Sequence, residues 1–252
     1  MLLCFAARPL PAQDAPAETR ALAVTQDDLL NRYCEANGGR EHLKNVRSLR
    51  IEAVMTMRDG GTGKLIYIKE QPFYMRSIWY GPNGTVVRKG YNGQHSWELF
   101  QNFDGRERFS YLPGRPQDVF EWVLVDPEAC GATLEMLPLE RVGRDECYRV
   151  RASYADGTIR DFWLDTTTLC EVRVEATSPD GRVSTFLVEK PAKYDGIWFP
   201  GVQREIMPDG SFGTAIEITD VQMNIGLLPC FFDPPQRWLN QKPETQDSGT
   251  AK

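Results

Sequence analysis

The sequence predicts a mainly β protein: a curved, antiparallel, incompletely closed β-barrel of about 11–12 strands with two short helices as its lid. Three observations carry this. Apolar and polar residues alternate with period two through most of the chain, as in half-buried strands. Asn-Gly and Asp-Gly turn signals punctuate the alternation at short intervals, the spacing of a meander. Helical periodicity is confined to a short region near the start, so little helix is available to cover the apolar face of so large a sheet. Such a sheet curls, and its interior is either filled by the protein itself or left partly open around a cavity.

Residues 1–13 read as the remnant of a secretory signal peptide, apolar at first and then passing through small residues and prolines, with cleavage near Ala12 or Gln13. Residues 14–24, rich in Ala, Pro and Glu, form a flexible lead-in to one domain spanning 25–235. Thr25 and Asp28 make a capping-box-like start, Leu29, Leu30, Tyr33 and Ala36 recur at helical spacing, and "NGG" at 37–39 stops the helix. "REHLKN" (40–45) is a second helical piece that carries Leu43 toward the same core. From Val46 the period becomes two: Leu49, Ile51, Ala53, Met55 and Met57 alternate with Arg50, Glu52, Val54 and Thr56 until "DGG" turns the chain. Strands follow at 64–70, 73–80, 85–91, 95–100 and 106–112. In "GRPQDVFEWVLVDPEACG" (114–131) the apolar residues are too crowded to alternate and prolines flank them, which predicts a short apolar helix or lid. Strands resume at 132–142, 146–154, 158–164, 170–177, 182–190, 197–206 and 212–222, and a polar tail occupies 236–252.

One register follows from hydrophobic matching. A three-residue "ADG" loop with Gly157 left-handed sets Tyr148 opposite Leu164 and Val150 opposite Phe162, whereas a two-residue loop would set Tyr148 opposite Asp165. The same register keeps Cys147 and Cys170 on strands that flank a third, about 9–10 Å apart and too far to bridge. The six cysteines are scattered without a C-x-x-C pair and without a nearby His, so buried free thiols are expected and a metal site is not.

The net charge of −6 and the absence of any Lys/Arg cluster argue against nucleic acid as a partner. No apolar run approaches the roughly 20 residues needed to span a bilayer as a helix. Among catalytic patterns, neither G-x-S-x-G, H-E-x-x-H nor a phosphate-binding glycine loop occurs. His42 lies on the polar helical piece and His95 reads as a solvent-facing strand residue. Asp161 and Asp165 could be taken for an acid pair, but a solvated outer strand face is the stronger reading. The sequence therefore predicts neither an enzyme nor a cofactor.

Five segments in this order carry a family resemblance: "RYCEANGGREHLKNVRSLRIEA" (32–53), "GYNGQHSWEL" (90–99), "FWLDTTTLCEVRVE" (162–175), "KYDGIWFPGVQREI" (193–206) and "ITDVQMNIGLLPCFFDPP" (218–235). Together they resemble the LolA/LolB-like superfamily of bacterial periplasmic proteins, often labelled outer-membrane lipoprotein-sorting proteins. The resemblance implies a curved, incomplete barrel with helices in its mouth and a concave apolar surface that accepts lipoprotein acyl chains. It implies lipid or acylated protein cargo as partner, membrane-associated donor and acceptor proteins, and a periplasmic or outer-membrane-associated location. Related members act instead as sensors or regulators of envelope stress, which keeps a protein-interaction module as the alternative. No catalytic residue is implied.

The residues expected to line such a cavity are Met55, Met57, Phe73, Met75, Trp79, Trp97 and Leu99 from the N-terminal strands, Phe120 and Val123 from the lid, and Val150, Phe162 and Phe199 from later strands. Methionine suits variable apolar cargo because its side chain is flexible and polarizable. In "IWFPG" (197–201), Ile197 and Phe199 point one way and Trp198 the other, and Pro200 marks an edge or a bulge because it has no N–H for a central ladder.

Overall fold

The computed structural model describes residues 24–116 and 120–239. Helix α1 (Gln26–Ala36) starts as its cap chemistry requires: Thr25 Oγ1 accepts from the Asp28 N–H at 3.2 Å. It ends on Asn37, whose side chain donates to the Tyr33 carbonyl, and α2 (Arg40–Asn45) follows at once. Leu29 and Leu43 from the two helices are fully buried.

The chain then forms a meander of β1 (Ser48–Thr56), β2 (Thr62–Glu70), β3 (Tyr74–Tyr80), β4 (Val86–Tyr91), β5 (Ser96–Gln101) and β6 (Glu107–Leu112). A second meander holds β7 (Ala132–Val142), β8 (Asp145–Tyr154), β9 (Ile159–Asp165), β10 (Glu171–Thr177) and β11 (Val183–Glu189). A small hairpin of β12 (Ala192–Tyr194) and β13 (Ile197–Phe199) precedes β14 (Val202–Ile206) and β15 (Phe212–Met223). Thirteen strands make one antiparallel sheet in the order β6-β5-β4-β3-β2-β1-β15-β14-β11-β10-β9-β8-β7. The ends β6 and β7 do not pair, so the barrel is open; β1 against β15 joins the first meander to the closing strands, and β11 against β14 joins the second.

Two sequence expectations need correction. The strand predicted over 197–206 is broken: β13 pairs with β12 in a separate hairpin, and β14 joins the main sheet. Pro200 interrupts the ladder, and the next residue passes so close to the chain that a Cβ on Gly201 would lie 2.0 Å from the Lys190 carbonyl oxygen. The apolar segment after Pro116 is also not helical among its described residues, 120–131. Its described residues form successive turns, with the Val125 N–H donating to the Trp122 carbonyl and the Ala132 N–H to the Pro127 carbonyl. The hairpin register, in contrast, is as hydrophobic matching requires, with Tyr148 opposite Leu164, Val150 opposite Phe162 and Gly157 at φ 88°.

The core is lopsided. α1, α2, the turns at 120–130 and the β12–β13 hairpin pack on Leu49, Ile51, Val150, Ala152, Phe162, Leu164 and Val221, which lie on the inner face of β1, β15, β8 and β9. Phe120, Val123, Leu124 and Val125 are all at most 5% exposed there. A buried carboxylate fastens this plug: Glu121 accepts from Tyr154 Oη at 2.8 Å and pairs with Arg115 and Arg160. The buried apolar residues of β2, β3 and β5, namely Leu65, Ile68, Met75, Trp97 and Leu99, stand apart from this cluster.

Candidate functional site: the open half of the sheet

Register builds the second half of the concave face. Ala53, Leu65, Trp79, Val87 and Phe100 stand side by side across β1 to β5, and the next row is Ile51, Tyr67, Ser77, Lys89 and Glu98. Because side chains alternate between faces, every second residue of each strand projects into the space that the plug leaves free. The result is a hollow of about 560 Å³ lined by Met55, Leu65, Tyr67, Met75, Ser77, Trp79, Val87, Phe100 and Leu112, with Pro116 at its border. Its volume lies in the range of small-molecule sites. One ion pair interrupts the apolar wall, Lys89 Nζ to Glu98 Oε2 at 3.1 Å.

The floor is supported from behind. Gly90 and Trp97 face each other across β4 and β5, and a Cβ on Gly90 would lie 2.4 Å from the Trp97 indole, so glycine is what lets the ring lie flat on the sheet. Trp97 is completely buried and its Nε1 donates to the Phe232 carbonyl at 2.9 Å. Phe232 belongs to a short 3-10 turn (Pro229–Phe232) and stacks on Tyr74 at 5.4 Å. A second such turn (Gln236–Trp238) lays Trp238 on Phe109, ring centroids 5.4 Å apart, so packing runs past residue 235, where the sequence predicts only a polar tail.

Of the residues expected to line a cavity, Met55, Met75, Trp79 and Trp97 border the hollow. Leu99 does not: it shares the rear face with Trp97 and is 2% exposed. Met57 lies beyond the end of β1 in a turn. Phe73 sits under the Arg115 guanidinium at 3.9 Å and borders a separate cleft of about 270 Å³ with Phe120. Val123, Val150 and Phe162 belong to the filled half, and Phe199 is in that core while bordering a third cleft. Leu65, Tyr67, Ser77, Val87, Phe100 and Leu112 line the hollow without having been singled out in the sequence. In "KLIYIKE" both faces of the strand are apolar, so periodicity alone does not say which side turns inward.

The chemistry on the opposite face is structural. Asp161, expected to be solvated, is 3% exposed and accepts from Arg149 Nη2 at 2.6 Å and from Arg151 Nε and Nη2 at 2.8 Å. Burial opposes its charge, but the guanidiniums of Arg151 and Arg149 prevail and hold its carboxyl below the usual carboxylate range. Trp163 lies between Arg149 and Arg173, whose guanidinium carbons are 4.8 and 4.4 Å from its ring. Asp165 is spent on its own turn, accepting from the N–H groups of Thr167 and Thr168. No acid pair forms. His95 is exposed in the turn before β5, and His42 Nε2 lies 2.9 Å from the Asp195 carbonyl. Among the described residues no group of three or more His, Cys, Asp or Glu is placed to hold a metal ion, and no helix is long and apolar enough to cross a membrane.

Solved structures share this architecture. A DUF1329 family protein from Desulfovibrio piger superposes with a TM-score of 0.55 at 16% identity, over 81% of this chain and 97% of the other. A LolA superfamily protein from Nitrosomonas europaea gives 0.53 at 13% identity, over 84% and 99% of the two chains. The chain has the LolA-like fold. A Vibrio parahaemolyticus domain described as an outer membrane lipoprotein-sorting protein fits the same LolA-like frame, with a TM-score of 0.52 at 11% identity over 81% and 94%. No protein-family model matches the sequence, and no curated protein does.

Proposed function

We propose that this protein is a non-catalytic periplasmic carrier that holds the hydrocarbon of a lipoprotein acyl chain, or of another amphiphile, in the hollow over β1–β6. The observation that carries the reading is the asymmetry of the concave face: one half is plugged by the chain's own side chains, and the other holds a largely apolar space of about 560 Å³ that the described residues leave unfilled. Its neighbours in fold include a LolA superfamily protein and a domain named for lipoprotein sorting. Each methylene transferred from water into such a space gains about 0.8 kcal/mol, so about ten of them supply about 8 kcal/mol, against association costs of about 4 kcal/mol or more. Affinity of this kind grows with lined area and tolerates different chains, which fits a wall of Met, Leu, Val and aromatic residues. Membrane-associated donor and acceptor proteins complete the proposed cycle.

The test is recovery of the protein from its native host followed by mass spectrometry for bound lipids or acylated peptides, with titration of a fluorescent fatty-acid probe. Protein that is consistently empty and takes up no probe sinks the reading. A second reading, an envelope-regulatory interaction module, draws on the unpaired edges: β7 leaves one side of an eleven-residue strand open to another chain's backbone. It would gain if the empty protein instead captured an extended peptide.

A further inference from the structure

The third cleft lies on the filled half, between α1, the turns at 120–130, the start of β10 and the β12–β13 hairpin. It encloses about 140 Å³, room for roughly four water molecules or one small ion, and shares no lining residue with the hollow. Four aromatic residues, Tyr33, Trp122, Trp198 and Phe199, line it together with a single carboxylate, Glu171. Among the described residues nothing forms an ion pair or hydrogen bond with that carboxylate. The amide of Asn37 is already committed, donating to the Tyr33 carbonyl and accepting from the Trp198 N–H.

We propose that this cleft binds a compact organic ammonium, quaternary or methylated, either as a free solute or as the head of a choline-type lipid. Aromatic faces attract such a cation through the ring quadrupole, and a lone acid supplies the counter-charge. The cleft offers too few oxygen ligands for a metal ion, which would need several carboxylates or carbonyls. Trp198 already shows the preference: the Lys193 ammonium rests on its ring, 4.8 Å from the centroid. The charged and titratable groups around Glu171 and the adjoining Cys170 are Tyr33 from α1 with Cys34 beside it, Arg160 and Asp165 from β9, and Lys193 from β12. Burial raises Tyr33, Cys34 and Cys170, so these stay neutral near pH 7. Burial pushes Glu171 itself up to about 7, with Arg160 pulling the other way. A bound cation therefore favours the ionised carboxylate and displaces its proton.

Tetramethylammonium chloride and choline chloride are titrated into the full chain at pH 6 to 8.5 by calorimetry, against sodium chloride at equal ionic strength. Saturable binding is expected that strengthens as pH rises through about 7, falls at least tenfold in Glu171→Gln, and weakens in Trp198→Leu. Circular dichroism is expected to show both variants folded, since Glu171→Gln keeps the shape of a partly exposed side chain and removes a charge that no described residue pairs. Dihexanoylphosphatidylcholine whose Glu171→Gln-sensitive binding is tighter than that of choline assigns the lipid head; equal or weaker Glu171-dependent binding assigns the free solute. No response beyond sodium chloride, or equal affinity in wild type and Glu171→Gln, overturns the proposal.

Discussion

Replacing Val87 with asparagine separates cargo binding from folding. Val87 stands between Trp79 and Phe100 in the apolar row of the hollow and is half-buried. In the empty protein the new amide still meets water, so stability should fall by at most about 1 kcal/mol. Under bound hydrocarbon the same amide is desolvated without a partner, costing about 1–3 kcal/mol, and the lost aliphatic contact removes about 1 kcal/mol more. The sum, about 3 kcal/mol, corresponds to roughly 100-fold weaker binding. The assay is titration of a fluorescent fatty-acid probe, paired with thermal unfolding of the empty protein. Val150→Asn is the counterpart in the filled half: Val150 is fully buried opposite Phe162, so this change should cost several kcal/mol of stability. Probe affinity unchanged in a folded Val87→Asn variant would refute the assignment of the hollow as the binding surface.

Asp161→Asn should destabilise the fold by roughly 2–4 kcal/mol in urea denaturation at pH 7, because Arg149 and Arg151 lose their common counter-ion. The native Asp161 carboxyl titrates below its unfolded value, so its contribution is present above the unfolded pKa and is lost as pH falls through the folded one; the gap between wild type and variant should close in acid. Phe232→Ala, which empties a fully buried site behind the floor of the hollow, should cost about 3–5 kcal/mol by the same assay. A thiol reagent at pH 8 should modify exposed Cys230 quickly and spare Cys130 and Cys147, whose thiols burial pushes up to about 12 and about 11; rapid labelling of either in native protein would contradict their burial.

Much of the fold was legible because strand alternation and turn chemistry are local signals. The α1 cap at Thr25, the "ADG" hairpin and the inward-facing Met55 and Met75 all follow from residues near one another in sequence. What depended on distant partners was not legible. Asp161 looks like a solvated acid until Arg149 and Arg151 are placed on the neighbouring strand, and Leu99 looks like cavity lining until Trp97 is seen lying flat against Gly90 on the rear face. Val123 and Phe162 have the composition of a binding surface, yet the plug covers them, and only tertiary packing decides which half of a largely apolar concavity the described residues leave open. The split at Pro200 was half visible: the sequence marks a disruption, but the close crossing of Gly201 over Lys190 fixes where the strand ends.

The pairing of β1 with β15 has a consequence in time. Residues near position 50 must wait for residues near position 220 before their ladder can form, so the two meanders cannot be held in mutual alignment until almost the whole polypeptide has emerged. During that interval the greasy concavity of the first six strands stands uncovered and one border of β1 is unpaired, the circumstances that invite misassembly in slow, high-contact-order chains. A nascent chain of this design would therefore profit from a chaperone that shields its early strands until the last long one arrives.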